Sequence, residues 1–380
     1  MMAMIRLQLA LLWMGVVEAS GSGSQWWPFG GGGGPPDHSA LFSPGNIGCP
    51  LPRSQAQQQR FDHRADPRRL RLATFNAEWL FDGVDDGRMV PWATAGEAAE
   101  HTSRVGDVVG ALDADIVVLT ELEGCFMLHR LLQGLPAAAG NYTPLVVAGK
   151  DSATRQQLGL ITRLSPLGPL RTTPDRRDYP QRGSGCGFTG KPKTSGVSKH
   201  LLGVFAVPGL DRELLVVGAH LKARPNEPRS CAQREAQAAV LAALIKREAL
   251  EHSPPRHAIL LGDLNDFDSL LPDASGNKPR SSVLRQLSAD IGMHSAASRL
   301  TEAERWTWSG ERYPKAALDH ILLSEGLWPL LEGVTVGGAG GVVAEGASDH
   351  RPLLVELRLP GLEFTSRRTL ERPDATTREL

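Results

Sequence analysis

The sequence predicts an α/β sandwich, two β-sheets packed face to face with helices outside. Three observations predict it. Short apolar runs of strand length alternate with segments whose apolar residues recur at helical spacing. Some strands follow one another like hairpins while others are separated by a helix, a mixed order that a single parallel sheet does not produce. The chain has 380 residues and 41% hydrophobic content, enough to bury one large core or two smaller ones. A net charge of −1 carries no overall electrostatic commitment to nucleic acid or to an anionic membrane.

Met1–Arg6 carry a basic residue, and Leu7–Val17 form an apolar run too short to cross a bilayer. Val17-Glu18-Ala19 then offers small residues at signal-peptidase spacing, so residues 1–19 read as a signal peptide. Residues 20–48 are rich in Gly, Ser and Pro and read as a flexible linker, with Trp26-Trp27 inside it. The folded body is expected over 68–360 and a loose tail over 361–380. The expected product is a monomer, secreted or held in the secretory-pathway lumen, without stable membrane insertion after cleavage. Asn141-Tyr142-Thr143 is a glycosylation sequon. The cysteines Cys49, Cys125, Cys186 and Cys231 are even in number and lack metal-ligand spacing. Cys186–Cys231 is the favoured pair, because both lie in loops expected to flank one site. Cys125 also reads as merely buried.

Within the body, Leu70–Phe75 is the first strand, ending on Asn76, Ala77 and Glu78. Val105, Val108, Val109 and Leu112 mark a helix face over 97–112. Ile116–Leu119 is a strand apolar on both faces and ends on Thr120-Glu121. Leu158–Thr162, Leu201–Val207 and Leu214–Gly218 are further strands, the last leading to His220. A strong helix follows, with Ser230 as its expected cap, Gln233 as capping-box partner, and Pro254-Pro255 preventing its continuation. Next come Ala258–Leu261, a helix near Ser282–Leu287, and strands at Ile321–Leu323 and Leu353–Leu357.

Four strands end on polar residues: Asn76/Glu78, Glu121, His220, and Asp263/Asn265. Two others begin on them: Asp319-His320 before Ile321, and Ser348-Asp349-His350 before Leu353. If the latter two run antiparallel to their neighbours, all these clusters meet at one end of the sandwich. Carboxylate and amide oxygens suit a hard cation such as Mg²⁺, with Mn²⁺ or Ca²⁺ as alternatives, better than zinc. A cation, a carboxylate-held water and an imidazole near the departing oxygen are the parts for hydrolysing a phosphate ester. Taken singly the same residues have plainer readings: Asp263 and Asn265 as a turn, Glu121 as a solvated strand end, His320 as structural.

The segments FNAEW (75–79), DIVVLTE (115–121), GAHLKA (218–223), GDLND (262–266), LDHIL (318–322) and SDHRPL (348–353) together resemble the endonuclease/exonuclease/phosphatase superfamily, the deoxyribonuclease I-like fold. GVSKH (196–200) and REAQA (234–238) add to the resemblance. It implies a four-layer sandwich, two mixed sheets flanked by helices. It also implies a metal site of Asn76, Glu78, Glu121 and Asp349, with Glu121 the principal ligand. Asp263 would orient or deprotonate the attacking water and Asn265 hold a phosphate oxygen. His220 would serve as acid or phosphate binder, and Asp319 would pair with His350. Thr120 stands where the family often has glutamine.

Basic residues gather between Arg171 and Arg229, and such a rim would favour a polyanion. Asp175, Asp178 and Glu227 in the same stretch leave a solvated loop as an equal reading. The leading expectation is therefore a secreted, Mg²⁺-dependent endonuclease with nucleic acid as substrate. A phospholipid or inositol-phosphate phosphoesterase, with Trp306-Thr307-Trp308 as the only candidate membrane contact, and a catalytically silent binding module are the alternatives.

Overall fold

The computed structural model of the protein describes residues 48–49, 60–84, 91–136, 140–311, 313–337 and 346–360. The expected signal peptide, the linker apart from Gly48, the pair Trp26-Trp27 and the tail lie outside these residues.

Two mixed sheets form the expected sandwich. In the first, β1 (Arg69–Leu80) runs parallel to β2 (Ile116–Leu122), and the two are joined by α1 (Ala95–Leu112). This sheet also holds β3 (Thr143–Val146), β4 (Gln157–Thr162), β12 (Leu331–Val336) and β13 (Leu353–Arg358), in the order β12-β13-β1-β2-β4-β3. In the second, β8 (Leu214–Ala219) runs parallel to β9 (His257–Asp263) across α3 (Pro228–Ile245). With β7 (His200–Phe205), β10 (Met293–Ser295) and β11 (Asp319–Ser324) the order is β10-β11-β9-β8-β7. A short ribbon, β5 (Arg177–Tyr179) with β6 (Lys193–Ser195), stands apart from both.

The strands are apolar without alternation because both faces are covered. Leu70, Leu72, Ile116 and Val118 meet Val216, Ile259, Leu261 and Ile321 between the sheets. The next residues along the same strands, Ala73, Phe75, Val117 and Leu119, pack outward on Val105, Val109 and Leu112 of α1. Leu128 and Leu131 of α2 (Cys125–Gly134) complete that outer layer. On the other side Leu215, Val217 and Leu260 pack on Val240, Leu241 and Leu244 of α3, beside α4 (Val283–Leu287). The result is four layers, helix, sheet, sheet, helix.

Several local expectations need correction. Ser230 does not cap α3; it lies buried in the first turn. Glu227 caps instead, its carboxylate accepting from Arg229 N at 3.1 Å and Ser230 N at 2.6 Å. Pro228 takes the first helical position, where no N–H is needed. Cys125 is not merely buried: it opens α2 and is bonded to Cys49, while Cys186 pairs with Cys231 as expected. The helix α2 escaped the periodicity reading, as did the short strands β3, β10 and β12.

Strand register brings the polar ends together. β11 lies antiparallel to β9 with Asp319 opposite Asp263, and β13 lies antiparallel to β1 with Leu353 opposite Thr74. The two strand starts therefore meet the ends of the parallel pairs. Gly262, at φ 146°, has its α-carbon against the Ala219 backbone, so a side chain there would strike the Ala219 carbonyl oxygen. Behind the mouth, fully buried Arg234 donates from Nε to Asp266 Oδ2 at 2.9 Å and from Nη1 to the Lys222 and Arg224 carbonyls.

Gly262→Ala should lower the unfolding free energy by about 1–3 kcal/mol through backbone strain, with the Ala219 carbonyl clash adding to it. Arg234→Ala should lower it by about 3–5 kcal/mol by leaving Asp266 buried without its cation. Urea denaturation checks both, and a midpoint unmoved by either change would contradict this account of the mouth.

Candidate active site

The strands do not simply stop at the mouth; they distort there. β1 slips against β2 between Asn76 and Leu80, and β2 slips against β4 between Leu119 and Leu122. Glu78 (φ 44°), Glu121 (φ 64°) and Asn265 (φ 51°) all have left-handed backbone. Such residues break the two-residue alternation of a strand, so neighbouring side chains need not face opposite ways. The strain is of order 1–3 kcal/mol per residue and is characteristic of functional sites.

Asp263, Asp319 and His350 form the buried centre, with 2%, 3% and 7% of their surfaces exposed. His350 Nδ1 bonds Asp319 Oδ2 at 2.7 Å, and its Nε2 lies 3.9 Å from Asp263 Oδ2. Burial opposes the imidazolium, but Asp319 and then Asp263 outweigh it and hold His350 up to about 10. Burial, with Asp319 second, pushes the Asp263 carboxyl up to about 7, where it can exchange a proton near neutral pH. Asp319 is positioned in turn by Thr307, whose hydroxyl oxygen accepts from Leu318 N and Asp319 N. Ser348 Oγ donates to the Asn76 carbonyl at 2.7 Å and accepts from His350 N at 3.0 Å, tying the start of β13 to β1.

Glu78, Glu121 and Asp349 flank this centre. Asp349 N donates to Glu78 Oε2 at 2.9 Å, and Asp349 Oδ2 accepts from Trp308 Nε1 at 2.8 Å, near the rim. Burial, with Asp349 as the next cause, pushes Glu78 up to about 7, and burial raises Glu121 as well. Carboxyls driven upward by desolvation and mutual repulsion are what a divalent cation would return to the ionised form. Oxygen donors of this kind suit a hard cation, for which Glu121, Glu78 and Asp349 would be the holders. Asn76 turns its amide nitrogen toward the carboxylates, 3.3 Å from Glu121 Oε1 and 3.1 Å from Asp263 Oδ2. Its oxygen accepts from Glu78 N at 3.1 Å, so here Asn76 bridges two carboxylates. Asp263, Asp319 and His350 also bring one ligand atom each within 4.8 Å of one another, as a metal triad does. The short His350–Asp319 bond satisfies Nδ1 and leaves Nε2 facing Asp263 Oδ2 at 3.9 Å.

His220 lies 3.6 Å from Asp263 Oδ2 and 4.0 Å from Glu121 Oε1, inside the site as expected. Burial, then Lys199 and His350, holds it well below the usual histidine range, so it is neutral. Lys199 Nζ lies 3.3 Å from His220 Nε2 and donates to Gln156 Oε1 at 3.0 Å. Burial lowers Lys199, while Glu121, Asp151 and Asp263 oppose that shift, so the lysine, the imidazole and the carboxylates form one buried polar cluster. Sequence reading saw Lys199 only within GVSKH and as one of many basic residues, and Gln156 carried no signal. Asn265 holds its turn through Asn265 N to Asp263 Oδ1 at 2.9 Å and donates from Nδ2 to Leu221 O at 3.3 Å. Asp266 pairs with Arg234, Asp268 Oδ1 accepts from Leu270 N, and His320 bonds the Asp266 carbonyl, so all three shape the turn.

These groups open onto a cavity of about 550 Å³ lined by Glu121, His220, Asp263, Asn265 and His350 at its base and by Trp308, Tyr313, Asn226 and Arg224 higher up.

Residues 73–350 match the Endonuclease/Exonuclease/phosphatase family. No curated protein matches the chain. Among solved structures, it is similar to an endonuclease/exonuclease/phosphatase from Beutenbergia cavernae DSM 12333, at 19% identity and a TM-score of 0.48, over 77% of this chain and 72% of that one. An endonuclease/exonuclease/phosphatase from Bacteroides vulgatus gives 18% identity and a TM-score of 0.47, over 77% and 99%. A D. rerio TDP2 humanized by 14 mutations gives 16% identity and a TM-score of 0.46, over 76% and 98%. With its six polar strand ends gathered at one mouth of a four-layer sandwich and the family match spanning most of its length, the chain belongs to the endonuclease/exonuclease/phosphatase family.

Proposed function

We propose that the protein is a secreted, Mg²⁺-dependent phosphodiesterase acting on nucleic acid, most simply as an endonuclease. The observation that carries this reading is the buried meeting of Asp263, Asp319 and His350, with His350 Nδ1 2.7 Å from Asp319 Oδ2 and its Nε2 3.9 Å from Asp263 Oδ2. Asp263 orients a water and takes its proton. His350, held by Asp319, presents positive charge to the phosphate oxygens as negative charge grows. Lys199 stands behind His220, 3.3 Å from its Nε2, and adds a second basic group to the site. Asn76 fixes the spacing of Asp263 and Glu121 by donating to both. A cation on Glu121, Glu78 and Asp349 would polarise the phosphate and steady the leaving oxygen.

The lipid alternative draws little support. Trp306 is covered by Arg351 at 3.9 Å and by Lys315 at 5.6 Å, and Trp308 is tied to Asp349, so neither is a free membrane wedge. Among the described residues only Val84 and Leu270 are large exposed hydrophobics, and no helix is long and apolar enough to cross a membrane. Two disulfides and the exposed Asn141 sequon support the secretory address.

Incubation of the purified protein with plasmid DNA, RNA, sphingomyelin and inositol phosphates tests the reading. Nicking of nucleic acid should require Mg²⁺, stop in a chelator, and fall by about 10²–10⁴-fold in Asp263→Ala, the range for loss of a general base. Lipid turnover without nicking would overturn the substrate, and nicking that survives the chelator or the variant would overturn the mechanism. The two histidines have their own test in chelator-treated protein. Heteronuclear NMR should find His350 still protonated above pH 8 and His220 still neutral below pH 6, bracketing the ordinary value of about 6.5. In Asp319→Asn the His350 value should drop toward that ordinary range, and parallel titration of the two rings would contradict their separate roles.

A further inference from the structure

Beside the mouth, and sharing Arg224 and Glu227 with it, lies a second cavity of about 620 Å³. Five basic residues line it against two acidic ones. Arg176 is committed to Thr194, donating to its hydroxyl at 2.9 Å and its carbonyl at 2.8 Å. Lys150, Lys222, Arg224 and Arg229 make no side-chain hydrogen bond or salt bridge among the described residues. The acids that share the cavity are occupied by backbone: Asp151 accepts from Ala153 N and Thr154 N, and Glu227 caps α3. Positive charge therefore exceeds negative charge in a concave, polar space.

The walls are fixed from behind. Nearly buried Gln237 accepts from Lys222 N at 3.0 Å and donates to the Gly196 carbonyl at 3.1 Å, joining two sides of the cavity. Arg234 gathers the carbonyls of Lys222, Arg224 and Pro225, and Arg224 is held at φ 70°. Because Arg234 also binds Asp266, next to Asn265, the cationic wall and the catalytic turn share one buried anchor. The backbone that carries these cations is fixed in advance, so phosphate binding has only their side chains left to order.

We propose that this cavity binds a backbone phosphate of a nucleic-acid strand other than the phosphate being cleaved. The proposal rests on the phosphodiesterase reading and narrows its substrate to a strand bearing several phosphates in sequence. A single-phosphate diester would reach the catalytic centre and leave the second cavity unused.

Lys150 and Arg229 are exposed, so the double variant Lys150→Ala/Arg229→Ala tests the cavity without touching the catalytic groups. Two quantities are measured: Mg²⁺-dependent turnover of bis(p-nitrophenyl) phosphate, and chelator-stalled binding of a labelled single-stranded oligonucleotide across a salt series. Turnover should be unchanged. Oligonucleotide affinity should fall on the order of tenfold at low salt, and the slope of log K against log salt should flatten by about 0.7 for each phosphate that the variant no longer neutralises. Unchanged affinity and slope, with turnover intact, would overturn the subsite. Failure of the unsubstituted protein to turn over the diester would instead overturn the phosphodiesterase reading, while the binding arm still reports on the cavity. Turnover of an inositol polyphosphate that depends on these two residues, without oligonucleotide binding, would overturn the assignment to a strand.

Discussion

Asp263 and Asp319 sit directly opposite each other on neighbouring antiparallel strands, almost wholly out of water, and the rest of the mouth depends on making that pairing tolerable. Two desolvated carboxylates this close cannot both stay ionised without a cation. His350 is that cation. It arrives from the other sheet, because β13 starts where β1 ends, and it is bonded to one aspartate and within 4 Å of the other. The same juxtaposition that lets the strands pair also separates two chemical roles. One carboxylate is left poised near neutrality, and the other is spent on keeping an imidazole charged. A structural problem created by strand register and the proposed catalytic apparatus are one arrangement seen twice.

Around this centre the protein fixes backbone where it needs charge. Arg234 is buried with Asp266 and with the carbonyls of the loop after β8, so the turn bearing Asn265 and the wall bearing Lys222 and Arg224 cannot move independently. Buried ion pairs of this kind are weak contributors to stability but severe when broken. Gly262 permits the close approach of β9 and β8 that places Asp263 beside His220. These residues touch no reacting atom in this arrangement, and their effect is on where the reacting groups stand.

Much of this could be read in the sequence. Asn76, Glu78, Glu121, His220, Asp263, Asn265, Asp319, Asp349 and His350 each stand at the edge of an apolar run, and strand polarity alone carries them to one end. The two-sided burial of the sheets was visible in runs such as Ile116–Leu119, which lack alternation. What could not be read depends on backbone and three-dimensional aim. Left-handed backbone at Glu78, Glu121 and Asn265 leaves no mark in residue type, since none is glycine. Lys199 looked like its basic neighbours, yet it alone among them points at His220. The cap of α3 was assigned to Ser230 because the serine rule is strong. Pro228 moved the start of the helix upstream, and a glutamate did the capping. The charges of 171–229 hid a division in which Glu227 caps a helix and Asp175 pairs with Arg247, while Lys222, Arg224 and Arg229 stay unpaired among the described residues.

The proposed roles keep metal-holding and proton-handling groups apart: Glu121, Glu78 and Asp349 on one side, and Asp263, Asp319 and His350 on the other. Anomalous diffraction from crystals of the protein grown with Mn²⁺ tests this most directly. The account predicts a peak within bonding distance of the Glu121 carboxylate, with the Asp319–His350 hydrogen bond intact. A peak bonded to Asp319 and to His350 Nδ1 would contradict it.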